Sequence, residues 1–146
     1  MTKDTVLIGV DGGATKVSAW QIEYNGQKDI FSMGKLNAQK SYLDIPGHIA
    51  DFKPIDVPTQ IAERDQGIIN STDSELQQQA VYVEACAQVI EEIAKQSGKS
   101  KVLVGIGMPG LKTEDKRGIA VVANGPRMLE YSDLLEERLK FSPIPQ

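Results

Sequence analysis

The amino-acid sequence predicts an α/β domain that opens with a three-stranded antiparallel meander. Three observations carry this. Residues 5–10 form a continuous apolar run closed by Asp11-Gly12-Gly13, the mark of a short strand buried on both faces. Asn25-Gly26 stands between two strand-like segments, and that dipeptide signals a tight hairpin turn. Residues 72–95 carry apolar side chains at helical spacing, and a second apolar run follows at residues 101–107.

The elements follow in order. Residues 16–24 alternate loosely around Val17, Trp20 and Ile22 and read as the second strand, with residues 27–33 as the third. Residues 34–71 contain Pro46, Pro54 and Pro58 and show no clean period, so they read as an irregular insertion or flap. Thr72-x-x-Glu75 is a capping-box pattern that starts a helix, and Gly98 is a fitting stop. Leu76, Ala80, Val83, Ala87, Ile90 and Ala94 step by threes and fours and define its expected buried face. Burying each larger member contributes roughly 1.5–3 kcal/mol before entropy, so packing on a sheet decides this helix. Residues 101–107 read as a buried strand, 108–111 as a turn and 118–123 as a further strand ended by Asn124-Gly125-Pro126. Ser132 or Asp133 is the expected cap of a last helix through Leu139, with Pro143 and Pro145 preventing its continuation.

Composition bounds the function. The 146 residues suit one domain, with 40% hydrophobic and 25% charged residues. A net charge of -4 with 16 scattered basic residues argues against nucleic-acid binding, which needs clustered Lys and Arg. The single cysteine, Cys86, excludes an internal disulfide and fits a reducing compartment. The N-terminus shows no signal-peptide pattern, and no apolar run approaches the ~18 residues of a membrane span, so a cytoplasmic location is expected.

Chemistry concentrates in Asp11, Gly12, Gly13, Ala14, Thr15 and Lys16. Glycines there permit a positive φ and a close ligand approach, and loop N–H groups then form an anion-binding nest. Thr15 adds a hydroxyl and Lys16 a positive charge. Asp11, where the strand opens, suits a Mg²⁺ held through water, since Mg²⁺ takes one or two carboxylates, waters and substrate phosphates. By itself Asp-Gly-Gly is also an ordinary hairpin connection. Elsewhere His48 reads as a lone surface histidine, Cys86 and Trp20 as core, and residues 113–117 as a solvated hairpin tip.

The stretch Ile8-Gly9-Val10-Asp11-Gly12-Gly13-Ala14-Thr15-Lys16 resembles the first phosphate motif of the sugar kinase, heat-shock chaperone and actin superfamily. Val104-Gly105-Ile106-Gly107-Met108-Pro109-Gly110 resembles the strand-and-turn signature of ROK-type sugar kinases. Gly118 to Asn124 fits the family's strand ending in asparagine, and Leu134 to Leu139 its next helix. The resemblance covers residues 5–33 and 73–146.

It implies a ribonuclease-H-like domain, a mixed sheet flanked by helices, and transfer of a phosphoryl group from Mg-ATP to a hexose or amino sugar. It implies that Asp11 helps hold Mg²⁺, that Gly12 to Lys16 surround the phosphates, and that Pro109, Gly110 and Asn124 line the sugar cleft. Met128 stands where the family often has tryptophan, which affects the sugar pocket. The family's catalytic aspartate, second phosphate motif, adenosine motif and zinc-binding cysteines have no counterpart in these residues. No catalytic residue is therefore expected within the chain, and the base is expected beyond Gln146. The expectation is the N-terminal domain of a longer, two-domain kinase, inactive alone, with a C-terminal kinase domain as partner and a homodimer left open. A non-catalytic sugar sensor of the same family is the alternative, and a ribonuclease-H-like nuclease ranks last.

Overall fold

The computed structural model describes residues 3–140. Its elements are β1 (Thr5–Gly12), β2 (Lys16–Asn25), β3 (Ile30–Ser41), a short 3-10 turn (Tyr42–Asp44), α1 (Val57–Gln66), α2 (Asp73–Ser97), β4 (Lys101–Gly107), β5 (Leu111–Lys112), β6 (Ile119–Val121) and α3 (Tyr131–Leu139). The main sheet has the order β3-β2-β1-β4, while β5 and β6 form a separate pair. β1 runs antiparallel to β2, β2 antiparallel to β3, and β1 parallel to β4. The chain is thus α/β with a mixed sheet opening on an antiparallel meander.

One face of the sheet makes the core. Val6, Ile8 and Val10 of β1, with Val17, Ala19 and Ala38, pack against Cys86, Val89, Ile90 and Ile93 of α2. α2 lies across β1, β2 and β3, and α3 packs on α2. α2 also supplies the crossover that parallel strands require. Its capping box forms as the sequence suggests: Thr72 Oγ1 accepts from the Glu75 N–H at 3.1 Å, and Glu75 Oε1 from the Thr72 N–H at 3.1 Å. Gly98 ends the helix in the left-handed conformation.

Several expectations are corrected. The segment 34–71 is not an irregular insertion: β3 continues to Ser41, and α1 occupies residues 57–66. A register shift between Trp20 and Ile22 lets β3 absorb extra residues and stay paired. Pro58 lies in the first turn of α1, where a missing N–H breaks no helical bond, and Asp56 caps the helix through the Thr59 N–H at 3.0 Å. The β2–β3 turn is longer than a two-residue hairpin, because Asn25 Oδ1 accepts from the N–H groups of Gln27 and Lys28 and Asn25 pairs with Ile30.

The apolar runs are not buried on both faces. β1 alternates between buried and half-buried positions, and β4 is an edge strand with Leu103 exposed. In α2, Leu76 and Ala80 are exposed, and Glu75, Gln78 and Gln79 are buried in the first turns. Gln79 Oε1 accepts the Glu130 N–H at 3.3 Å, so that end of the helix docks through polar contacts. α3 starts at Tyr131 rather than after Ser132 or Asp133, with no side-chain cap, because Asp133 pairs with Arg117 at 2.7 Å instead. Pro143, Pro145 and Gln146 lie outside the described residues, and with them the expected stop after α3 and the end of the chain past which the catalytic base is expected.

Candidate functional site

β1 and β4 run in the same direction, and their carboxyl ends deliver two turns side by side: Gly12-Gly13 after β1 and Met108-Pro109-Gly110 after β4. Open α/β sheets bind ligands outside such strand ends. A cavity of about 430 Å³ opens there. Gly12, Gly13, Ala14, Pro109, Gly110 and Asn124 line it, with Val57 and Ile61 of α1, Tyr82 of α2, and Met128. The structure therefore gathers six of the nine residues singled out in the sequence.

Asp11, Thr15 and Lys16 stand outside the lining and are exposed. Asp11 pairs with Ser18 and Gly107, on the sheet face opposite α2. Its carboxylate has no hydrogen-bond or ion-pair partner among the described residues.

The glycine loop is built differently from the sequence expectation. Neither Gly12 nor Gly13 has a positive φ. Gly12 is needed for close approach instead: a Cβ there would stand 3.0 Å from Met108 Cγ. The Gly13 N–H donates to the Lys16 carbonyl at 2.9 Å, leaving Ala14-Thr15 as a two-residue connection. Two tyrosines support it from beneath. The rings of Tyr42 and Tyr82 stack at 3.8 Å with an 11° interplanar angle. Their hydroxyls donate to the carbonyls of Gly13 at 3.0 Å and Ala14 at 3.1 Å. Burial pushes both phenols above their ordinary pKa, so they stay protonated donors. Each peptide is planar and trans, so a carbonyl turned toward a tyrosine sends the next N–H the opposite way. The N–H groups of Ala14 and Thr15 thus face away from the tyrosines, and no described residue accepts from them.

The opposite wall is clamped by residues the sequence reading left without a role. Gly110 has φ 113°, and a Cβ there would lie 2.4 Å from the Val121 carbonyl. Gln60 of α1, fully buried, donates through Nε2 to the carbonyls of Ile55 and Val122 and accepts the Val122 N–H at 2.8 Å. Arg127 donates through Nε and Nη2 to the two oxygens of Glu75, at 2.8 Å each, through Nη2 to the Asn70 carbonyl at 3.1 Å, and through Nη1 to Glu63. These bonds hold residues 122–127 in place, and with them Asn124. Segment 34–71 is therefore part of the cavity wall and its support.

Charge in this region is committed to structure. The Arg127 side chain is 0% exposed and that of Glu75 2%. Burial pushes the Glu75 carboxyl up, but hydrogen bonds from Arg127 and the Thr72 backbone outweigh it and hold the group below the usual carboxylate range. Burial pushes the Cys86 thiol up to about 11, which fits a core residue. Among the described residues, no Asp, Glu or His lines the cavity, and no three His, Cys, Asp or Glu gather into a metal cluster. No described helix is long and apolar enough to cross a membrane.

Sequence reasoning did not find Tyr42, Tyr82, Gln60 or Arg127. Each acts through a partner roughly 30 to 70 positions away, and only Glu75, read as a cap, had a local signal. No protein-family model, curated protein or solved structure matches this chain.

Proposed function

We propose that this chain is the phosphate- and sugar-binding half of an ATP-dependent sugar kinase of ribonuclease-H-like fold, similar to the ROK type. One observation carries the reading. Gly12, Gly13 and Ala14 of the first motif and Met108, Pro109 and Gly110 of the second, about a hundred residues apart, line one cavity together with Asn124 at the carboxyl ends of a parallel strand pair. The roles divide by chemistry. The outward N–H groups of Ala14 and Thr15, with the Thr15 hydroxyl and Lys16, meet phosphate oxygens. Pro109, Gly110 and Asn124 hold the sugar.

A divalent cation fits the residues present. Asp11 is an exposed carboxylate with no described partner beside the phosphate loop, and a Mg²⁺ bound to a nucleotide takes one such acid and retained waters. When bound, that ion supplies charge neutralisation on the phosphates. Phosphoryl transfer depends mainly on positioning and charge stabilisation, and these residues provide positioning. With no carboxylate in the cavity lining, removal of the sugar hydroxyl proton is not assigned to residues 3–140.

The test is an NMR titration of the chain with Mg-ATP and, separately, with hexoses and amino sugars. Mg-ATP is expected to shift the amides of residues 12–16, and Asp11→Asn to weaken that response several-fold when Mg²⁺ is present. Sugars are expected to shift Gly110 and Asn124, with no ATP turnover by the chain alone. A titration that leaves both groups of amides unmoved overturns the reading.

A further inference from the structure

One stripe of α2 carries both walls of the cavity. Glu75, Gln79 and Tyr82 stand four and three positions apart, so they share a face of the helix. Glu75 accepts from the Arg127 N–H at 3.1 Å and Gln79 from the Glu130 N–H at 3.3 Å, which ties the segment after Asn124 to the helix. Tyr82 reaches both walls. Its hydroxyl donates to the Ala14 carbonyl at 3.1 Å. A Cβ at Gly125 would stand 3.3 Å from that same hydroxyl oxygen and 3.8 Å from Cε2 and Cζ of the ring, so the turn beside Asn124 closes on it. Tyr82 is buried although it lines the cavity, and the Tyr42 ring stacked on it at 3.8 Å leaves it little room to swing aside.

We propose that Tyr82 is a positioning residue that links the Asn124 wall to the phosphate loop. The Ala14 carbonyl and the Thr15 N–H belong to one planar peptide, so a shift of the Tyr82 hydroxyl re-aims the Thr15 N–H. On its other side the hydroxyl has little slack, because a methyl group added at Gly125 displaces it by a few tenths of an ångström. With the ligands that the kinase reading assigns, on which this step rests, a sugar against Asn124 restrains residues 124–126 and, through Tyr82, the Ala14–Thr15 peptide. A loop already restrained loses less freedom when a phosphate arrives. The two ligands therefore favour each other's binding, by the same factor in either order.

The experiment has two arms. The first uses no ligand and compares amide NMR spectra of Gly125→Ala with wild type, and of Gly125→Ala/Tyr82→Phe with Tyr82→Phe. Gly125 has no positive φ, so its backbone accepts alanine and circular dichroism should match wild type. Gly125→Ala is expected to shift the Thr15 amide across the cavity, and the shift is expected to vanish in the Tyr82→Phe background. A Thr15 amide that stays in place, or that moves equally in both backgrounds, overturns the proposal. The second arm measures Mg-ATP affinity by calorimetry with and without a saturating hexose or amino sugar. Wild type is expected to bind Mg-ATP about fivefold more tightly with sugar present, and Tyr82→Phe to lose most of that gain. Equal affinities in wild type, or a gain that survives in Tyr82→Phe, overturn the proposal as well. If neither ligand binds, the kinase reading fails, and the ligand-free arm still decides the link through Tyr82.

Discussion

Replacing Arg127 with methionine tests the buried ion pair that supports the cavity wall. The variant keeps an unbranched apolar stem, ends it short of the guanidinium, and removes both 2.8 Å side-chain bonds to Glu75 and the contact with Glu63. Glu75 then stays in a site where its side chain is 2% exposed, with no guanidinium to balance it. Breaking a buried pair in this way costs about 3–5 kcal/mol. That is a large share of the ~5–15 kcal/mol that holds a domain together. Urea unfolding is expected to show it as a midpoint lowered by roughly 2 M, given an ordinary denaturant slope.

The pH dependence separates this cause from simple loss of packing. In the wild type Glu75 lies below its ordinary value, so its contribution is complete above the carboxylate range and lost as pH falls through it. In Arg127→Met burial acts with far less opposition and raises the carboxyl, so the variant gains relative stability as pH falls through the same range. The gap between the two proteins should therefore narrow toward about pH 4. Adding Glu75→Gln to Arg127→Met should recover a substantial part of the loss, with a coupling energy above about 1 kcal/mol in the double-mutant cycle. A loss under about 1 kcal/mol, or a gap that does not change on acidification, would show that the pair is not what holds this wall.

Two further changes probe the two turns. Tyr82→Phe removes the donor to the Ala14 carbonyl while keeping the ring stacked on Tyr42; about 1 kcal/mol of stability should be lost, with shifts in the Ala14 and Thr15 amides by NMR. Unmoved amides would mean that the hydroxyl does not support the loop. Gly110→Ala forces a Cβ to 2.4 Å from the Val121 carbonyl at φ 113°, so calorimetry should record a loss of more than ~2 kcal/mol. An unchanged melting temperature would show that the turn relaxes freely.

Much of the architecture was legible locally. The 5–10 run, the two strands after it and the Thr72 capping box each became the element that their pattern demands, because strand pleat, glycine stops and helix caps are decided within a few residues. The errors arose where a residue's exact place in a helix, or a distant partner, decides the outcome. α1 was hidden because Pro58 reads as a breaker unless its place in the first turn is known. The burial of Glu75 and Gln79 was hidden because the groups they bind, Arg127 and Glu130, are some fifty positions away.

For the candidate site, sequence alone marked the acid and glycines from Asp11 to Lys16 by residue type, while the Pro109-Gly110 turn and Asn124 were singled out through the family resemblance. Backbone freedom and donor type are properties of the residues themselves, so the first stretch can be read without a fold. Only the tertiary structure decided that the two turns share one cavity, that Asp11 faces the other side of the sheet, and that stacked tyrosines direct the loop N–H groups outward. Those facts depend on the parallel register of β1 with β4 and on contacts across roughly 30 to 100 positions. A local pattern carries no record of them.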